Sequence, residues 1–298
     1  MNSSSDLELS NKYQQKTDKA HILDNPDTYI GSVEQVDDNL WILSEDSTKI
    51  IQKNIKYIPG LFKLFDEGIV NCRDHVIRML QAISNNVENA LPVSNIDISI
   101  QDDGTITMLN DGNGIDVAEH PEYKVFIPQM IFGELLTSGN YNKAEKKITG
   151  GKNGYGAKLT NIFSVYFRIE TVDRHRKLKY VQEYRNNMEI KEEPQITEFK
   201  QAPYTRISFI PDYDKFSMVG LTNDLEELIK KRTIDMFACS RGQLDIYYND
   251  EIISLASFAD YMKLYLDTDY LTVSCKPNER WEIGACMSPN FTFQQVSF

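Results

Sequence analysis

Three short segments of this chain carry residue types and spacings suited to metal-assisted hydrolysis. In Phe65-Asp66-Glu67-Gly68-Ile69-Val70-Asn71, which has helical periodicity, Glu67 and Asn71 are four residues apart and project from one helix face. A carboxylate there can take a proton from an attacking water, and an amide oxygen is a hard ligand for magnesium. Taken alone, the pair also reads as a solvated helix stripe. Gly68 costs about 1 kcal/mol inside a helix, so something close by needs the space. The second segment is Asn110-Asp111-Gly112-Asn113-Gly114-Ile115. Its glycines let the backbone turn sharply and approach a flat ligand. Asp111, at a strand end, can accept a hydrogen bond from an exocyclic amine such as that of adenine. By itself the hexapeptide is also an ordinary Asx-Gly turn. The third segment, TGGKNGYGAKLT at 149–160, has glycines at 150, 151, 154 and 156. They free backbone N–H groups to converge on an anion, and Lys152 and Lys158 add charge. It is not a Walker A loop, because Ala157 separates Gly156 from Lys158, and the dinucleotide-binding spacing also fails. A glycine loop of no function is one reading. A nucleotide lid is favoured because the segment runs straight into an apolar helix at 157–163, whose N-terminus would bring partial positive charge to phosphates.

The elements that must position these residues are legible in outline. After Pro59-Gly60, the apolar residues Leu61, Phe62, Leu64, Phe65, Ile69, Cys72, Val76, Met79 and Leu80 predict a helix of about five turns. Residues 95–100 and 105–109 alternate at period two around Asp102-Asp103-Gly104, a β-hairpin signal. Further strands are predicted at 165–172, 178–184 and 205–210, the first two joined by a basic turn after Asp173. Leu225, Leu228, Ile229, Met236 and Phe237 predict a second amphipathic helix, and 244–253 a second hairpin around Asn249-Asp250. Mixed helices and antiparallel strands predict an α+β sandwich with helices over one sheet face. Residues 1–16 lack apolar periodicity and read as a flexible arm. The stretch 291–298 reads as a strand cut short, the mark of an excised fragment.

Composition narrows the function classes. The chain has 298 residues, 41% hydrophobic and 26% charged, as in a globular domain or a domain plus part of another. No apolar run approaches the roughly 18 residues of a membrane helix, and the polar, acidic start is no secretory signal. Cys72, Cys239, Cys275 and Cys286 lie far apart without metal spacing, which suits reduced thiols in an intracellular protein. A net charge of −12 argues against gripping DNA as the principal task. Two basic clusters, Arg174-His175-Arg176-Lys177 with Lys179 and Lys230-Lys231-Arg232, read as a solvated turn and a helix face, or as a weak DNA-facing patch.

Together the three segments resemble, in order and spacing, the motifs of the GHKL ATPase superfamily. Within it, YQQKTDKAHILDNPDTYIGS at 13–32, YIPGLFKLFDE at 57–67, IFGELLTSGNY at 131–141 and the lid resemble the eukaryotic-type branch of the type IIA DNA topoisomerases. The versions are especially similar to those of large DNA viruses, and the resemblance runs from about Tyr13 to Phe298. Chaperone and repair ATPases of the superfamily share the three motifs but not PDTYIGS or TSGNY. A degenerate, non-enzymatic relative would have lost Glu67 or the lid glycines.

The resemblance implies a GHKL (Bergerat) α+β sandwich of helices on a mixed sheet. It divides the chain into an arm at 1–16, an ATPase domain at 17–245 and the beginning of a transducer domain at 246–298. It implies ATP and Mg2+ as cofactors, with Glu67 as the general base, Asn71 as the magnesium ligand and Asp111 at the adenine amine, where eukaryotic enzymes often have Asn. Ser138 and Asn140, with Gly139 between them, would meet the ribose or phosphates. Gly151, Lys152, Asn153, Gly154, Tyr155, Gly156, Ala157 and Lys158 would wrap the triphosphate. Tyr13 would reach the partner subunit's nucleotide in a swapped dimer. Three positions depart from the pattern. His75 stands for the usual Asn, Lys152 replaces an arginine fork with a point charge, and Gly139 replaces a second serine. The Gln-Thr-Lys loop, the DNA-cleaving tyrosine and the metal-binding carboxylates of the cleavage core would fall after Phe298. In the whole enzyme, ATP would close a homodimer gate around a DNA duplex for strand passage, away from membranes, in a nucleus or at a viral replication site.

Overall fold

The computed structural model describes residues 17–135, 155–240, 244–255, 257–266, 271–278, 281–287, 293 and 295–297. Helix α1 (Asp18–Asp24) is capped by Thr17, whose hydroxyl accepts from the Ala20 amide at 3.2 Å. A single turn, α2 (Pro26–Tyr29), follows, then an antiparallel hairpin of β1 (Val36–Leu43) and β2 (Ile50–Tyr57). Helix α3 (Pro59–Ser84) starts on a proline, where the missing N–H does no harm. Its 26 residues make about seven turns rather than five. The extra length buries no apolar side chain, since Leu80 and Ile83 near its end are exposed.

Strands β3 (Asn95–Ile100) and β4 (Ile106–Asn110) form the expected hairpin, and helices α4 (Ile127–Gly133) and α5 (Gly156–Ile162) come next. Then come β5 (Ser164–Asp173), β6 (Leu178–Arg185), β7 (Ile190–Lys191), β8 (Gln195–Glu198) and β9 (Thr205–Pro211). A 3-10 turn (Tyr213–Phe216), helix α6 (Asn223–Cys239), the hairpin β10 (Asp245–Tyr248) and β11 (Glu251–Ile253), helix α7 (Phe258–Lys263) and the pair β12 (Thr272–Cys275) and β13 (Ile283–Cys286) complete the described elements.

One nine-stranded sheet, in the order β11-β10-β3-β4-β9-β5-β6-β7 with β8 also on β6, organises the molecule. Among the described strands only β10 against β3 is parallel, so the sheet is mixed. A boundary after residue 245 would cut β10, which pairs with β3 from Asp245 to Tyr248, and the sheet continues to Ile253. Leu61, Leu64, Phe65, Ile69, Cys72 and Val76 of α3 are buried in one core with Ile96, Ile98, Met108, Phe167, Ile169 and Phe209 of the sheet. Gly68 lies on that inner side: a Cβ there would run into Met108 Sδ of β4. The space is needed by the sheet, not by a ligand. A second, smaller core of Leu43, Ile50, Ile234 and Tyr261 clamps the β1–β2 hairpin and α7 against α6. The β1–β2 hairpin has no counterpart in the sequence reading. Apart from Ile51, its exposed positions are charged or amide side chains, and Leu43 and Ile50 find their partners only in this distant cluster.

Candidate nucleotide site

Glu67, Asn71 and His75 form one stripe on α3 at intervals of four residues, spanning roughly 12 Å at 1.5 Å per residue. All three are half-buried, while Leu64, Gly68, Ile69 and Cys72 turn into the core. At the Glu67 end, Lys63 one turn earlier holds the carboxylate, with Nζ 2.7 Å from Oε1. Burial works against the Lys63 ammonium, but its hydrogen bond to Glu67 and the charges of Glu67 and Asp66 keep it above the ordinary lysine range.

Helix α5 begins against the same carboxylate, and a Cβ on Gly156 would collide with Glu67 Oε2. The Thr160 hydroxyl donates to the Leu64 carbonyl at 3.3 Å, pinning α5 to α3. Tyr155 and Ala157 pack against the main core. Lys158 is buried to 2% exposure, and burial pushes its ammonium down to about 8, opposed by the charge of Glu134. A desolvated lysine at the root of a glycine-rich segment suits an anion.

The other end of the stripe meets the loop after β4. Gly112 has φ +87°, and a Cβ there would sit 2.9 Å from Val93 Cγ2 and 3.3 Å from His75 Nε2. Only glycine allows both the turn and this approach. A Cβ on Gly114 would run into the Val172 carbonyl of β5. Asn113 braces the loop by accepting from the Leu91 amide at 3.2 Å and donating to the Asn89 carbonyl at 3.3 Å. The Ile115 amide donates to Thr171 Oγ1 at 2.9 Å. His75 Nε2 is buried with no hydrogen-bond partner among the described residues. Burial, and then the charge of Arg78, hold the ring down to about 4, so it is neutral at physiological pH.

Asp111 differs from a free acceptor. Its Oδ1 accepts from the Ser94 and Asn95 amides at 2.7 and 2.9 Å, and its Oδ2 from the Ser94 hydroxyl. The carboxylate staples the loop to the start of β3, and only its remaining lone pairs are open to a ligand.

The fold thus brings Gly156, flanked by Tyr155, Ala157 and Lys158, to Glu67 and the loop after Asp111 to His75, with Asn71 between them on α3. Tyr13, Ser138, Gly139, Asn140, Gly151, Lys152, Asn153 and Gly154 lie outside the described residues. Lys63 was missed by the sequence reading, although its spacing of four residues from Glu67 is a legible signal for an ion pair. Lys230, Lys231 and Arg232 are buried or half-buried, whereas Arg174, His175, Arg176 and Lys177 are exposed. Arg176 binds Asp116 and Asp173 at 2.6 and 2.8 Å, Lys230 meets Ser47 at 2.8 Å, and Lys231 binds Asp235 at 2.7 Å. Burial pushes the Cys72 thiol up to about 12, which makes it an inert core residue. Among the described residues no helix is long and apolar enough to cross a membrane.

In sequence and fold the chain is similar to known proteins. No family model matches the chain. The DNA topoisomerase 2 of Acanthamoeba polyphaga mimivirus is 44% identical over 97% of this chain and 23% of its own length. That of Saccharomyces cerevisiae is 39% identical over 98% of this chain and 21% of its own length. The chain therefore spans about a fifth of the length of the curated relatives it matches. Among solved structures, the ATPase region of Saccharomyces cerevisiae topoisomerase II superposes with a TM-score of 0.84 at 41% identity, covering 92% of this chain and 71% of that one. The ATPase and transducer domains of DNA topoisomerase II from Balamuthia mandrillaris give a TM-score of 0.82 at 39% identity, over 92% and 68%. With fold, motif order and sequence in agreement over nearly its whole length, the chain belongs to the DNA topoisomerase II family, within that family's ATPase region.

Proposed function

We propose that this chain binds ATP along the α3 stripe and hydrolyses it, as the ATPase part of a type IIA topoisomerase. The single observation that carries the reading is the close seating of Gly156 on Glu67, which puts the root of the lid against the only carboxylate of the stripe. The purine would lie at the Gly112 end, met by the open lone pairs of Asp111. The phosphates would run toward Glu67 and Lys158. Glu67 would take the proton of the attacking water, with positioning and electrostatics supplying most of the acceleration.

Magnesium fits this site as an ion that arrives on the nucleotide. No cluster of three or more His, Cys, Asp or Glu that could hold a metal exists among the described residues, and the donor offered is the single amide oxygen of Asn71. Phosphate oxygens and water would complete an octahedral set, and the ion would neutralise developing phosphate charge. Ser138, Gly139, Asn140 and the segment 151–154 belong to the same proposal as further nucleotide contacts, and Tyr13 as a contact to the partner subunit's nucleotide.

The division of the chain is also part of the reading: an arm at 1–16, an ATPase domain, and then the start of a transducer. We place the boundary after Ile253, because β10 and β11 complete the main sheet. In the whole enzyme, ATP-driven dimer closure would trap a DNA duplex, since contacts to the γ-phosphate stabilise the closed state. In the full-length enzyme, Glu67→Ala should lower ATP turnover by about a thousandfold while magnesium-ATP binding, measured by calorimetry, stays within a few fold. Retained turnover removes Glu67 as the base.

A further inference from the structure

Lys63 stands on α3 with two carboxylates in reach. Asp66 is three residues on, with Oδ2 at 3.5 Å, and Glu67 is four on, with Oε1 at 2.7 Å. A lysine so placed is a flexible point charge that can serve either acid. What breaks the tie comes from another helix. Arg232 of α6 puts Nε 2.8 Å from Asp66 Oδ1. The four side chains then alternate in sign, Arg232, Asp66, Lys63 and Glu67, from α6 to the stripe. They are between 19% and 41% exposed, so the ladder adds little to stability. Its effect is on geometry.

We infer that Arg232 is a positioning residue for Glu67: by holding Asp66, it leaves Lys63 to Glu67. The inference rests on the reading of Glu67 as the general base. Without the guanidinium, Asp66 becomes the unsatisfied partner and draws Lys63 back one residue. Glu67 then loses the ion pair that keeps its carboxylate under Gly156. Arg232 is itself held in place by its surroundings. Its neighbour Lys231 binds Asp235 Oδ2 at 2.7 Å, and the Tyr261 hydroxyl of α7 donates to Asp235 Oδ1 at 2.7 Å. The second core around Ile234 and Tyr261 completes the seat. The ladder therefore ties the carboxylate that does the chemistry to the segment that follows the main sheet. This also gives the cluster Lys230-Lys231-Arg232 a use that requires no DNA.

The test is steady-state ATP hydrolysis by the full-length enzyme, measured well below its melting temperature. Arg232→Gln should lower kcat about tenfold and leave KM for ATP within twofold. The double variant Arg232→Gln with Asp66→Asn, in which Lys63 has no competing carboxylate, should recover to within about threefold of wild type. Recovery on removing a second charge is not expected of a residue that only stabilises the fold. An unchanged kcat in Arg232→Gln, a loss carried by KM, or a double variant as slow as the single one overturns the inference. Should the single variant fail to fold, the double variant still decides, since a tenfold loss in it is equally fatal. Glu67→Ala assayed in parallel separates the two readings. If it retains turnover, the base assignment fails. If it loses turnover while Arg232→Gln does not, only the positioning role falls.

Discussion

The two ends of the α3 stripe are built differently. At the Gly112 end the loop is held by short-range hydrogen bonds, with Asp111 on Ser94 and Asn95, Asn113 on residues 89 and 91, and Ile115 on Thr171. Asn95 and Thr171 lie on strands of the main sheet, and residues 89, 91 and Ser94 in the segment that leads into β3. At the Glu67 end the carboxylate is held by a lysine on its own helix, backed by an arginine from another, and by the close approach of Gly156. The first construction is stiff and suits the reading of a flat base of fixed shape. The second relies on long side chains and on the seating of one helix on another, so it can respond to movement. Under the proposed function, recognition and chemistry would fall to parts of different compliance along one helix.

Three substitutions sharpen that contrast. The largest effect is expected from Gly156→Ala, whose new methyl group would push into Glu67 Oε2. Displacing a base by a fraction of an ångström to an ångström costs up to about a hundredfold in turnover. The loss should fall on kcat, with the melting temperature nearly unchanged. A Gly156→Ala enzyme of normal kcat would show that the lid root does not hold the carboxylate in place.

Asp111→Ala should act in the opposite way. It removes a charged acceptor from two amides and a hydroxyl, so unfolding free energy should fall by about 2 kcal/mol. Affinity for ATP should weaken more than kcat at saturating ATP. Denaturant melts and a KM-against-kcat comparison measure both. If stability is unaltered, the loop is not held by this carboxylate.

The smallest effect concerns pH. His75 has its pKa depressed to about 4 from 6.5, chiefly by burial. Between those values the unfolded chain takes up a proton that the folded chain refuses, so stability is lost as pH falls through that window. His75→Asn should remove about 1 kcal/mol of that loss at pH 5, after allowance for partial exposure. The comparison is of melting temperatures at pH 7 and pH 5 for the two proteins. Equal acid sensitivity in the variant would mean that another group is responsible.

Much of the fold was legible because its signals are local. The apolar positions of α3, the alternation around Gly104 and the strands at 165–172, 178–184 and 205–210 reappear as α3, the β3–β4 hairpin, β5, β6 and β9. The common face of Glu67 and Asn71 was legible for the same reason, because the helix repeats every 3.6 residues, whatever surrounds it. The β1–β2 hairpin was not, because the residues that bury Leu43 and Ile50 include Ile234 and Tyr261, from the far end of the described chain. Gly68 stands out within a helical sequence, but the object beside it, Met108, follows only from the docking of α3 on β4.

By itself, then, the amino-acid sequence determined which residues share a turn, a strand face or a glycine loop, and through those motifs the family. These follow from backbone geometry acting over a few residues. Only the tertiary structure decided what each of those residues touches. It showed that Asp111 is already engaged by β3, that Gly156 lies on Glu67, and that Asp66 is claimed by Arg232. Such pairings are set by how helices and strands pack, and the chain between the partners carries no local trace of them.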